Sequence, residues 1–362
     1  MSLMSNRIPL VVVLSLVAAC TADSSSESAE LAAAWTLTAT AQVSGTDALL
    51  QAVSPVDDRL VWVSGHEATW AVTLDGGENW TASVMAGEET LQFRDVEAFD
   101  ASTAYLMSAG TGDLSRVYRT DDGGQTWSLQ YMADHPEAFL DCMAFWDRDR
   151  GLVFGDEVEG VIFLLRTDDG GATWSRVPAE ALPAAQEGEG GFAASGTCLV
   201  TGDDGQAWIS AGNSEHPRML TTSDWGHSWS AVDMPLVGGT GAGPTTIQMA
   251  GDGRGISLGG VIGNDTAWTD NVAVTSDAGA SWTLAGRPVM PGPAYGSALV
   301  VDGQQSAVVA VGPRGMNWSA DLGQNWQPAD TLTYWAVAFA GPGAGWAVGP
   351  QGRIVRLSLD GR

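Results

Sequence analysis

Thr120-Asp-Asp-Gly-Gly-Gln-Thr-Trp127 returns, in slightly altered form, five more times along the chain. The other copies are TLDGGENW at 73–80, TDDGGATW at 167–174, TSDWGHSW at 222–229, TSDAGASW at 275–282 and SADLGQNW at 319–326. All six fit Ser/Thr-x-Asp-x-Gly-x-Ser/Thr/Asn-Trp. The third-position aspartates are Asp75, Asp122, Asp169, Asp224, Asp277 and Asp321. An aspartate there accepts hydrogen bonds from N–H groups of its own turn, and glycine at the fifth position supplies a backbone angle that other residues resist. The closing tryptophans, Trp80, Trp127, Trp174, Trp229, Trp282 and Trp326, return the chain to a strand and need a core to enter. Each copy is therefore a tight hairpin with an anchor, a structural unit rather than a metal loop.

The closing tryptophans stand 44 to 55 residues apart, the length of one four-stranded propeller blade. Before each hairpin the chain runs apolar strand, polar turn, second strand ending near glycine, then a third strand into the repeat. Phe139–Phe145, Leu152–Gly155 and Val161–Arg166 show this order. The last blade repeats the opening at Tyr334–Phe339 and Trp346–Gly349 but ends without the hairpin or a fourth strand. Ala34–Thr40 is strand-like and has no blade of its own, so pairing it with the C-terminal strands closes the ring and removes open edges. The expected fold is all-β: a seven-bladed β-propeller of four-stranded blades. The blades are expected at 47–86, 87–134, 135–183, 184–236, 237–291, 292–330, and 331–362 with 34–42.

Composition agrees with one packed domain. The 362 residues are 44% hydrophobic, include 16 tryptophans and carry a net charge of -27 without a single lysine. Such a surface repels phosphate backbones and anionic headgroups, which excludes nucleic acid as the expected partner. The histidines at 66, 135, 216 and 227 have no ligand spacing, and the glycine-rich runs at 238–243 and 251–255 match no phosphate loop. No metal and no cofactor is expected.

The N-terminus carries an address. Met1–Arg7 is short and basic, Ile8–Val17 is mostly apolar, and Val17-Ala-Ala-Cys20 ends in small residues before a cysteine, resembling a bacterial lipobox. This implies a lipoprotein signal peptide at 1–19, lipidation of Cys20, a flexible tether at 20–33 and a single domain at 34–362. The protein is then exported to the bacterial cell envelope and held at a membrane, on its periplasmic or outer-surface side, through the lipid on Cys20. A monomer is expected. Cys142 and Cys198 do not make a disulfide framework by number, and two free buried thiols are expected.

The repeated hairpins resemble the Asp-box or BNR repeat of sialidases, sortilin-type receptors and some endoglucanases. Together with Gly345-Trp-Ala-Val-Gly349, they resemble the seven-bladed photosystem II assembly and stability factors. The resemblance implies a seven-bladed fold and a binding or assembly platform with a protein client. The Asp-box residues themselves are structural in those families.

A sialidase would need an arginine cluster, yet Arg-Ile-Pro occurs only at Arg7–Pro9, inside the signal. No catalytic residue is assigned. The competing function is a glycan hydrolase using Asp95, Asp141 and Glu189 as acid and base. Aligning the inner strands by their turns sets Cys142 level with Cys198 and Val96. One step earlier stand Leu49, Asp95, Asp141, Thr197, Thr246, Ser297 and Trp335 around the axis. With the loop Glu187–Gly196, the candidate ligand-binding residues are Arg94, Asp95, Asp141, Glu189, Ser195, Tyr295 and Tyr334, suited to a protein partner or a small polar ligand.

Overall fold

The structure, a computed structural model, describes residues 35–303 and 305–361. The expected signal peptide, lipidated Cys20 and tether lie outside the described residues.

Seven antiparallel sheets of four strands form the ring. Blade 1 comprises Leu50–Pro55, Val61–Gly65, Thr69–Thr73 and Thr81–Val84. Blades 2 to 6 repeat that order, with inner strands Phe93–Ala98, Leu140–Phe145, Leu199–Thr201, Ala242–Met249 and Gly296–Asp302. Blade 7 holds Ala336–Gly341, Ala344–Val348 and Arg353–Gly361, and its fourth strand is Trp35–Val43. That pairing runs in unbroken register from Trp35 opposite Gly361 to Val43 opposite Arg353. The closure expected from the unpartnered N-terminal strand is therefore the one observed. Among the described residues the only helical segments are three single 3-10 turns.

Each blade is buried on both faces. The second strands of blades 1, 2 and 4 are buried at every position, whereas the outermost strands are largely exposed. The apolar core accordingly divides into seven clusters, one at each junction between blades. Trp62, for example, joins Trp70, Phe93 and Leu106 between blades 1 and 2, while Trp346 joins Leu50 and Val63 between blades 7 and 1. Burying one such side chain contributes roughly 1.5–3 kcal/mol, so adhesion between blades dominates cohesion.

The repeated hairpins connect the third and fourth strands and share one hydrogen-bond pattern. In blade 2, Thr120 Oγ1 donates to Asp122 Oδ1 at 2.9 Å and accepts from Gly124 N at 2.9 Å. Asp122 Oδ1 also accepts from Thr126 N at 2.8 Å, and Oδ2 accepts from Thr126 Oγ1 at 2.7 Å. The other five copies repeat these contacts, with Asn replacing the hydroxyl donor in blades 1 and 6. The first and seventh positions are therefore as functional in the turn as the aspartate. Positions four and five both take positive φ; Gly123 and Gly124 have 74° and 83°, while Trp225, Ala278 and Leu322 hold the fourth position at 62°, 57° and 53°.

These hairpins also fasten neighbours. The fourth-position carbonyl accepts a hydrogen bond from the preceding blade: Gly76 O from Gln42 Nε2 at 2.9 Å, Gly170 O from Tyr105 Oη at 2.6 Å, and Ala278 O from Trp208 Nε1 at 2.8 Å. Trp127 packs edge-on against Trp62 and Trp70 of blade 1.

One expectation is corrected. Cys142 and Cys198 are joined as a disulfide, with Cα atoms 5.9 Å apart, rather than free. Cys142 lies on the inner strand of blade 3 and Cys198 immediately before that of blade 4, and adjacency in the ring brings them within bonding reach. Counting two cysteines hid what their proximity made decisive.

Candidate binding site at the propeller axis

The inner strands of blades 1, 2, 3 and 5 each carry one extra residue relative to their neighbour. The register skips Gln51, Arg94, Asp141 and Thr245. A β-bulge bends a strand and re-aims a side chain. Here all four side chains engage the central loop or the adjacent blade. This corrects the alignment made from turns alone: Arg94, not Asp95, stands level with Asp141, and Asp95, not Val96, stands level with Cys142. The inner strand of blade 2 ends at Ala98 rather than Phe99, so a count begun at Phe99 runs one residue late.

The loop Glu187–Gly196 crosses the axis as a plug. Ala193 O accepts from Gln51 Nε2 at 2.8 Å and from Arg94 Nη1 at 3.5 Å. Gly191 N donates to Asp141 Oδ2 at 3.1 Å, and Gly190 and Gly212 exchange backbone hydrogen bonds. Its glycines are required by close approach: a Cβ on Gly190 would strike Asp156, one on Gly191 would strike Asp141, and one on Gly196 would strike Asp95. From the end of the plug, Ser195 Oγ, Thr197 Oγ1, Thr246 Oγ1 and Ser297 Oγ form a hydroxyl chain with steps of 2.7, 2.8 and 2.8 Å across blades 4, 5 and 6. Thr197, Thr246 and Ser297 are thus neighbours around the axis, as the turn alignment had them.

Beside the plug opens a cavity of about 280 Å³. Its ionic groups are Arg94, Asp141 and Asp156, and its walls include Phe139, Phe192, Tyr295 and Trp335. Tyr295 and Trp335 stack with centroids 4.5 Å apart. Arg94 donates through Nε to Gln92 Oε1 at 3.1 Å and lies 6.0 Å from the centre of the Phe139 ring. Burial lowers the affinity of Arg94 for its proton, with Asp141 opposing that shift. Asp141 is 2% exposed, and burial followed by the neighbouring Asp156 charge pushes its carboxyl well up. Asp156 is raised to about 6, chiefly by burial, and the two carboxyls hydrogen-bond to one another. Like charges this close hold one proton between them.

The sequence candidates divide. Arg94, Asp141 and Tyr295 line the cavity together. Asp95 is sealed beneath the plug, where it accepts from Val96 N at 2.8 Å and Met143 N at 2.6 Å and ties blade 2 to blade 3. Ser195 is buried, its hydroxyl donating to the Tyr295 carbonyl at 2.8 Å. Glu189, 1% exposed, is ion-paired with Arg218 and anchors the plug. Tyr334 lies in the core between blades 6 and 7, with Oη donating to Asp330 Oδ2 at 2.9 Å. Alternation along an extended chain turns its neighbour Trp335 to the cavity instead. Asp156, Phe139 and Phe192 were not among the candidates; Asp156 meets Asp141 only through the bulge, which no spacing reveals.

The arrangement has consequences for acid-base chemistry. Asp95 and Glu189 are engaged by backbone N–H groups and by Arg218, and Asp141 and Asp156 are coupled to one another rather than set apart as a separate acid and base.

Comparison with known proteins agrees with this architecture. The BNR/Asp-box repeat family model matches residues 118–129, the hairpin of blade 2. No curated protein sequence matches the chain. Among solved structures, YCF48 from Cyanidioschyzon merolae superposes with a TM-score of 0.61 at 16% identity, covering 90% of this chain and 99% of that one. A structure of YCF48 bound to D1 peptide gives 0.58 at 16% identity, covering 90% and 97%. The WD40 β-propeller domain of Doa1 gives 0.56 at 13% identity, covering 89% and 97%. The chain is a seven-bladed β-propeller with a BNR/Asp-box repeat at residues 118–129 and five further hairpins of the same pattern, similar in fold to the YCF48 propellers.

Proposed function

We propose that this propeller is a non-catalytic binding platform of the cell envelope, holding a partner protein at the axial face beside the Glu187–Gly196 plug. The axial cavity carries this proposal: it combines stacked aromatics with a few fixed ionic groups, the composition of a recognition site, while its carboxylates are sequestered from hydrolytic geometry. The D1 peptide bound by a YCF48 propeller of similar fold supports a polypeptide partner. A disulfide between blades 3 and 4 supports an oxidising compartment, in keeping with export and with lipid anchoring at Cys20.

The test is a pull-down of the lipidated protein from its native envelope. The wild type is expected to retain a partner that Trp335→Ala releases at unchanged melting temperature, and Cys20→Ser is expected to abolish lipid labelling. Turnover of a glycan panel that disappears in Asp141→Asn would overturn the platform in favour of a hydrolase.

A further inference from the structure

Among the described residues, two opposite charges in the axial cavity have no ion-pair partner within salt-bridge distance. Arg116, Arg150 and Arg218 each sit on a carboxylate. Arg94 does not; among the described residues its guanidinium meets Gln92 Oε1 and the Ala193 carbonyl. Asp141 is 2% exposed yet, among the described residues, meets no cation at ion-pair distance; it meets Gly191 N and the carboxyl of Asp156, with Arg94 acting on it only from farther off. A buried carboxyl without a counter-ion takes up a proton instead, and the pair sharing one proton keeps a single negative charge with no cation on it. Elsewhere the chain solves this problem internally: buried Glu189 has Arg218.

Local charge selects the class of ligand. Arg94 contributes +1, and a carboxyl pair holding one proton contributes -1. A plain cation would face Arg94, and a plain anion would face the carboxyls. A molecule bearing both charges satisfies both groups and leaves the net charge unchanged. The other charged groups nearby do not alter the balance within the cavity: Glu189 is neutralised by Arg218, Glu157 acts on Asp156 from its own strand, and Asp265 acts on Tyr295 from the mouth. The about 280 Å³ cavity lies just below the roughly 300–1,000 Å³ of drug-sized sites, so the ligand is compact.

We propose that the cavity binds a zwitterionic α-amino acid, with its carboxylate on Arg94, its ammonium on the Asp141–Asp156 pair and an apolar or aromatic side chain against Tyr295 and Trp335. The ligand would occupy the same axial cavity on which the platform reading rests, but its recognition does not depend on the identity of a partner. Both ionic contacts are charge-assisted, and the aromatic wall accepts side chains by area rather than by hydrogen bonding.

Calorimetric titration of the full-length protein with L-phenylalanine, N-acetyl-L-phenylalanine and L-phenylalanine amide tests this. Free phenylalanine is expected to bind, and each cap to weaken binding about tenfold or more, the effect of losing a hydrogen bond to a charged group. Arg94→Gln should erase the penalty of the amide cap and keep that of the acetyl cap; Asp156→Asn should do the reverse. Circular dichroism melting of both variants checks that the fold persists, and Trp335→Ala, which spares the ionic groups, should weaken all three ligands together. Equal binding of capped and free forms, or no heat with free amino acids at about 1 mM, a concentration that detects millimolar affinity, overturns the proposal. Neither result touches the platform, whose failure would appear in the pull-down as loss of any Trp335-dependent partner.

Discussion

Asp122 closes its turn by accepting from Thr120 Oγ1, Thr126 N and Thr126 Oγ1. Asp122→Ala removes all of these contacts at once, and denaturant unfolding should show a lower midpoint, whereas Thr126→Ala, which removes one side-chain bond, should lower it less. The same hydrogen bonds govern acid behaviour. Asp75 and Asp277 are held at about 2, first by the side chains of Asn79 and Ser281, so their contribution is present above the ordinary aspartate range and is lost as pH falls towards 2. Burial acts oppositely at the axis. Glu97 is raised to about 7 and Asp156 to about 6, so the folded state keeps protons there that the unfolded chain has released, and stability falls as pH rises from about 4 towards 7. Melting temperature should therefore peak between roughly pH 4 and 5. Glu97 is half-buried and retains some contact with water, so Glu97→Gln should recover only about 1–2 kcal/mol at pH 8 and nothing at pH 4.

The plug is the element on which the site depends. Its glycines fit against Asp95, Asp141 and Asp156 without space for a side chain, and Glu189 pins its start through Arg218. Gly191→Val forces the loop off Asp141; overpacking of this kind costs about 1–3 kcal/mol, and limited proteolysis should cut the loop in the variant well before the wild type. The Cys142–Cys198 disulfide supports the same region from the inner strands of blades 3 and 4. Closing a loop across a sequence separation of 56 residues stabilises by about 4 kcal/mol in the chain-entropy account. Sequence spacing located the Glu187–Gly196 loop as glycine-rich and mouth-lining. It did not reveal that the loop's carbonyls and N–H groups bind three other blades.

Across the whole molecule, stability depends on closing the ring. Trp35–Val43 completes blade 7 over nine paired residues and reaches blade 1, where Gln42 bonds both Gly76 O and the Trp80 indole. Deleting residues through Thr40 leaves an exposed strand edge and should lower stability by on the order of 5 kcal/mol, read by calorimetry as a lower and broader transition. An unchanged transition would mean that the ring closes without this strand.

The sequence by itself determined the seven-bladed ring. Six hairpins with one internal pattern and one strand without a blade leave little freedom, because hairpin chemistry is local and repeats are counted, not folded. It also placed Arg94, Asp141 and Tyr295 at the axis, since inner strands converge there. The tertiary structure decided what those residues do. Bulges turned Arg94 and Asp141 toward the plug, strand alternation sent Tyr334 into a core and Trp335 to the cavity, ring adjacency joined two cysteines, and pairing within blade 3 brought Asp141 and Asp156 together. Such outcomes turn on distances of a few ångströms between segments far apart in the chain. Local patterns carry no record of them.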